Sequence, residues 1–165
     1  LPDPSTAPQR IEAAERFLDA IGADVRHGGD RAFYAPGPDY IRIPALELFA
    51  VAEHYYSVRA HETVHWSGHA SRLARTFGAR FGDEAYALEE LVAELGAAFL
   101  CAQLGLDSEP REDHAAYLDH WLKVLKADKR AIFNAASHAQ RACDYLRGLA
   151  SSVAADEDQV EAQAS

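Results

Sequence analysis

His61-Glu62-Thr63-Val64-His65 is the segment whose residue types and spacing speak most directly of chemistry. In a helix, positions i and i+4 lie on one face a turn apart, so both imidazoles can reach the same ion. Glu62, beside the first of them, is placed to meet a water on that ion and take its proton, as zinc-dependent hydrolysis at neutral pH requires. A chain of this composition is expected to contain such a pentad by chance about 0.03 times, so its presence is informative. The competing reading is a helix with surface histidines and no metal.

A tetrahedral site that keeps one position for water needs a third protein ligand. A third histidine six residues after the second would complete one known pattern, but position 71 is Ser71. His69 follows His65 by four residues. Three histidines on one straight helix would span about 12 Å, too far to converge on one ion, so His69 reads as a surface group or a partner to a ligand. The remaining source is Glu89-Glu90-Leu91-Val92-Ala93-Glu94, in which Glu90 and Glu94 share a helical face and Ala93 and Ala97 leave room for close packing. One of these two glutamates can bind metal while the other accepts the free ring N–H of a ligand histidine. The window from Ala87 to Leu106 is otherwise almost wholly apolar, and carboxylates in a stripe that wants burial need a cation.

Other residues carry weaker signals. Tyr55, Tyr56, Tyr86 and Tyr117 are phenols of the kind that steadies a developing oxyanion. Trp66 and Trp121, in helical surroundings, read as core. Arg72, Arg75 and Arg80 form a short basic stretch that reads as solvated surface. No glycine-rich phosphate loop or nucleophilic Ser/His arrangement is apparent.

The elements that must position these groups follow from periodicity and punctuation. Pro2, Pro4 and Pro8 mark residues 1–9 as a linker. Ile11, Ala14, Phe17, Leu18 and Ile21 recur at helical spacing, with Gly22 as a stop. Ala23–His27, Arg31–Ala35 and Asp39–Ile43 read as three strands, the first two joined through Gly28-Gly29 and the last two through Pro36-Gly37-Pro38. They predict a small antiparallel sheet with Tyr40–Ile43 offering an exposed edge. Helices are predicted over Glu53–Gly68, from Asp83 to about Leu104 with Gly105 as its stop, over Asp113–Lys126 and over Lys129–Leu149. One domain over residues 10–150 results, followed by an acidic tail over 151–165 whose lack of apolar periodicity predicts disorder.

Composition narrows the function classes. The chain has 165 residues, 48% of them hydrophobic, enough for one domain with a real core. Its 16 Lys and Arg against 26 Asp and Glu give a formal charge of -10, a poor match to a phosphate backbone. Cys101 and Cys143 are too far apart for a thiolate metal site and, lying in predicted helices, read as buried free thiols suited to a reducing cytoplasm. No apolar run approaches the roughly 18 to 20 residues needed to span a bilayer, and no basic leader precedes an apolar segment. A first residue that is Leu rather than Met suggests a chain belonging to something longer.

The stretch from His61 to Arg72, then Phe81-Gly82, then Tyr86 through Leu100 resembles the zincin-like metallopeptidase domain of ArdC-type antirestriction proteins. The same domain occurs in TraC-like plasmid primases and phage polyvalent proteins. The resemblance runs from about Arg10 to Leu149 and includes His114–Tyr117, Trp121-Leu122 and Asp128–Arg130. It implies an α+β, zincin-like fold, mostly helical with a small antiparallel sheet. It also implies His61 and His65 as metal ligands, Glu62 as general base, Glu90 as third ligand and Glu94 as support for a ligand ring. Related zincins carry Asp or Asn where this chain has Glu94. Zn²⁺ is the expected cofactor, with Mn²⁺ or Co²⁺ suited to the same donors. The implied partner is a protein or peptide substrate, with single-stranded DNA engaged only through a preceding domain, and no membrane. The competing function is a non-catalytic, metal-stabilised antirestriction module that binds DNA through that other domain or binds a nuclease. An acidic DNA mimic is a weaker third, because outside the tail the charge is modest and scattered.

Overall fold

The computed structural model describes residues 8–76, 84–106, 121, 123 and 129–163. Several expectations fall outside them: most of the linker, the helix over Asp113–Lys126 apart from Trp121 and Lys123, and Arg80, Asp83 and Tyr117. The apolar spacing after Arg10 gives helix α1 (Glu12–Ala20), which buries Ala14 and Leu18. Gly22, at φ 80°, takes the left-handed conformation that ends it. Three strands follow, β1 (Val25–His27), β2 (Phe33–Ala35) and β3 (Tyr40–Ile43), then a short 3-10 turn and helices α2 (Ala52–Ser67), α3 (Glu84–Gln103) and α4 (Lys129–Gln163).

The sheet corrects the antiparallel expectation. Its order is β1-β3-β2, with β1 parallel and β2 antiparallel to β3. Gly28 and Gly29, at φ 142° and 73°, lead the chain away from β1 instead of folding it back as a hairpin. β3 takes the centre because its alternation sends Ile41 and Ile43, both 0% exposed, into the core. Tyr40–Ile43 is therefore paired on both sides and is no exposed edge. Among the described residues the open edges belong to β1 and β2.

α2 is the central rod. It touches β2, β3, α1, α3 and α4, and buries Arg59, Glu62, Thr63 and Ser67 along with Tyr55, Tyr56, Val58, Ala60, Val64 and Trp66. Its polar groups are tied down: Arg59 Nη2 reaches Asp19 at 2.6 Å, and the Tyr56 hydroxyl donates to Glu15 at 2.6 Å, fixing α1 against it. Against α3 it comes very close. A Cβ on Gly96 would lie 2.8 Å from Val64 Cγ2, a contact that only glycine avoids. Ala93 and Ala97 of the same helix are buried, at 0% and 3% exposure. α3 ends as expected, with Gly105 at φ 68° and the Leu106 N–H turned back to the Cys101 carbonyl at 2.9 Å.

Trp66 and Trp121 are buried, as are the free thiols of Cys101 and Cys143. α4 runs on to Gln163, through the stretch for which the sequence predicts disorder. After Ala150 the chain holds neither Gly nor Pro and several Ala, Glu and Gln among its Ser, Val and Asp, so nothing in it breaks the helix, although Ser151–Asp156 are exposed. No helix among the described residues is long and apolar enough to cross a membrane.

Candidate metal centre

His61 and His65 leave α2 one turn apart on the side facing α3. Their Nε2 atoms come within 3.1 Å of one another. Glu90, from α3, places Oε2 3.5 Å from His61 Nε2 and Oε1 3.2 Å from His65 Nε2. Four-coordinate zinc with ligands at about 2.0–2.1 Å places ligand atoms about 3.3–3.4 Å apart. Here a separate Glu90 oxygen faces each ring near that spacing, and one donor atom from each of the three residues lies within 4.8 Å of the others. Two ring nitrogens this close either share one proton in a hydrogen bond or, as neutral rings each presenting a lone pair, hold a cation between them. Two imidazoles and a carboxylate converging in one corner are a donor set that fits a divalent ion.

Behind these donors each ring meets a further carboxylate. His61 Nδ1 lies 3.2 Å from Glu94 Oε1, and His65 Nδ1 is hydrogen-bonded to Glu89 Oε1 at 3.1 Å. As α2 advances from His61 to His65, α3 recedes from Glu94 to Glu90 and Glu89, so the two helices pass in opposite directions here. Burial lowers both imidazole pKa values, but the carboxylates outweigh it: Glu90 and Glu94 raise His61 to about 9, and Glu89 and Glu90 raise His65 to about 10. Glu90, although burial opposes it, is held well below the usual carboxylate range by the two histidines. This corner attracts positive charge strongly.

Glu62, 8% exposed, lines the cleft beside these groups, and its carboxylate makes no hydrogen bond to any other described residue. The cleft measures about 620 Å³ and is walled by Phe33, Tyr34 and Pro36 of the β2 segment, by His69, and by Tyr86 of α3. Of the tyrosines singled out in the sequence, Tyr55 and Tyr56 are 0% exposed in the core and away from the cleft, while Tyr86 lines it. His69 caps its own loop, accepting from the Ser71 N–H at 3.1 Å, on the rim.

The basic stretch corrects another expectation. Arg75 is 3% exposed and grips Glu89, with Nη2 at 2.8 Å from Oε1 and Nε at 3.1 Å from Oε2. Arg72 stacks on Trp66, 3.8 Å from its ring centre, and pairs with Asp39. Neither is solvated surface. Glu89 and Arg75 are the residues that sequence reasoning missed. Glu89 had a signal: antiparallel helices pairing His61 with Glu94 must offer His65 a partner four or five residues earlier, at Glu90 or Glu89. Arg75 had none, since its contacts depend on how the loop folds back.

Comparison with known proteins places the geometry in a family. The family described as a zincin-like metallopeptidase matches residues 12–138. An uncharacterised protein, y4eC of Sinorhizobium fredii, is 48% identical over 138 residues, covering 84% of this chain and 45% of that protein. DNA primase TraC of Escherichia coli is 44% identical over 137 residues, covering 82% of this chain but 13% of the primase. The crystal structure of the antirestriction protein ArdC from plasmid R388, Mn(II)-bound, superposes with a TM-score of 0.76 at 45% identity, covering 87% of this chain and 54% of ArdC. Its metal-free structure gives the same TM-score at 44% identity. The chain thus spans about half or less of the length of these relatives. With most of its length matched by the family and the fold shared with ArdC, the chain belongs to the zincin-like metallopeptidases, in the form found in ArdC-type antirestriction proteins.

Proposed function

We propose that this domain is a metal-dependent peptidase in which His61, His65 and Glu90 hold a divalent cation and Glu62 is the general base. The observation that carries this reading is the triangle of His61 Nε2, His65 Nε2 and the Glu90 carboxylate, opening on the cleft that Glu62 lines. A cation bound there acidifies water and polarises a carbonyl oxygen. Glu62, whose carboxylate makes no hydrogen bond to another described residue, accepts the proton and returns it to the departing amine. Tyr86, on the cleft wall, is the phenol placed to donate to the oxyanion. The outer edge of β2, not β3, is the strand on which an extended peptide can align its backbone, and Phe33 and Pro36 flank it. Two imidazoles and one carboxylate suit Zn²⁺, and the Mn(II)-bound ArdC structure makes Mn²⁺ the other metal to try.

The deciding variant is Glu62→Gln. It should retain metal by elemental analysis and lose about 10²–10⁴-fold in peptide cleavage, measured on a peptide library. Equal cleavage by both proteins would remove Glu62 from the mechanism. A second reading is a metal-stabilised module serving a larger DNA-handling protein, favoured by its recurrence as 54% of ArdC and 13% of a primase. In that reading, protection against restriction by a full-length relative survives Glu62→Gln, and single-stranded DNA is engaged by the part outside this domain.

A further inference from the structure

Glu89 is held on both oxygens. Oε1 accepts from His65 Nδ1 at 3.1 Å and from Arg75 Nη2 at 2.8 Å, while Oε2 accepts from Arg75 Nε at 3.1 Å. Arg75 is itself pinned. Nη2 donates to the Val64 carbonyl at 2.6 Å and Nη1 to Ser67 Oγ at 2.9 Å. That carbonyl lies in the last turn of α2, where the Gly68 N–H has turned to His65, and it also accepts from Ser67 Oγ at 2.6 Å. A Cβ on Gly68 would lie 2.7 Å from Arg75 Nη2, so the residue after the helix leaves the space that the guanidinium fills. A planar, permanently charged group is thereby fixed against the end of the helix that bears both histidines.

We propose that Glu89, braced by Arg75, is a positioning residue of the metal centre: it sets the Nδ1–H tautomer of His65 and the plane of its ring, so that Nε2 presents a lone pair to the ion. This inference rests on the metal reading above. A neutral imidazole can carry its proton on either nitrogen, and an acceptor at Nδ1 selects the tautomer whose Nε2 can ligate. A carboxylate bonded to the ring alone is free to swing. The two-pronged grip of Arg75 fixes its direction and keeps it charged, which a single-point lysine contact does less well.

The test uses the full chain, Zn²⁺ titrated calorimetrically, and ¹⁵N NMR of the imidazoles. Glu89→Ala should weaken Zn²⁺ binding about 10–100-fold and abolish the slow exchange of the His65 Nδ1 proton, leaving His61 signals in place. Arg75→Lys should recover part of the affinity that Arg75→Ala loses. A purely structural Glu89 would lower the unfolding midpoint while leaving the His65 tautomer alone. Zn²⁺ affinity in Glu89→Ala within about twofold of the parent, well short of the outer-shell effect, overturns the proposal, as does a His65 Nδ1 proton that stays protected. Should Arg75→Ala fail to fold, Glu89→Gln, nearly isosteric but unable to accept at both positions, decides by the same two readouts. A parent chain that takes up no Zn²⁺ would sink the metal reading separately. The His65 Nδ1 proton, observable without metal, would still decide whether Glu89 holds the ring.

Discussion

Asp39 sits at φ 55°, in the left-handed region that Asp and Asn tolerate better than other side chains, at the turn between β2 and β3. Its carboxylate takes both prongs of Arg72, with Nη1 to Oδ2 at 3.0 Å, and a hydrogen bond from the Tyr34 hydroxyl at 2.8 Å. Arg72 holds Asp39 down to about 2, and partial burial and the bond to Asp39 push Tyr34 up to about 12. The cluster anchors the strand that walls the cleft to the loop that follows α2. Because the folded-state pKa is depressed, Asp39 contributes stability that is fully present above about pH 4 and lost as pH falls through about 2. Asp39→Asn keeps a residue that accepts the same φ while removing the charge. Its unfolding midpoint should fall below that of the parent at pH 6 and converge with it near pH 2. A gap unchanged across that window would show that the carboxylate's charge is not what anchors the turn.

At the scale of elements, the centre exists because α2 and α3 approach closely enough for Glu90 to reach both rings. Gly96 permits that approach: a Cβ there would meet Val64 Cγ2 at 2.8 Å and Cγ1 at 3.0 Å, and a β-branched valine has little freedom to turn aside. Gly96→Ala should cost about 1–3 kcal/mol in urea unfolding and weaken metal binding as the glutamates are pushed back. Val64→Ala in the same chain should restore much of both, because it removes the methyls in the way. The helix carrying His61-Glu62-x-x-His65 and the shared face of Glu90 and Glu94 were legible because both are local periodicities. The place of β3 was not. Parallel pairing of Val25 with Ile41 is a long-range choice, and the glycine pair after β1 mimics a hairpin turn. Gly96 and Arg75 escaped for the same reason, since each matters through a residue on another element.

For the whole molecule, a cation bound only by the folded state joins its two central helices and must therefore raise its unfolding temperature. At a free concentration a hundredfold above Kd the gain is about 2.7 kcal/mol, and a domain of this size shifts about 2–4 °C per kcal/mol, giving about 5–11 °C. Chelation should reverse the shift. A net charge of -10 raises the alternative that divalent ions merely screen an acidic surface. Two variants separate these causes. A chain ending before Asp156 loses Asp156, Glu157, Asp158 and Glu161, which follow a stretch of α4 already exposed from Ser151 onward, so it should keep both its metal-free midpoint and the full metal shift. Glu90→Ala removes one carboxylate and leaves the rest of the acidic surface intact, yet it should abolish the shift. If the truncated chain lost the shift and Glu90→Ala kept it, the ion would be acting on diffuse charge and not between His61, His65 and Glu90.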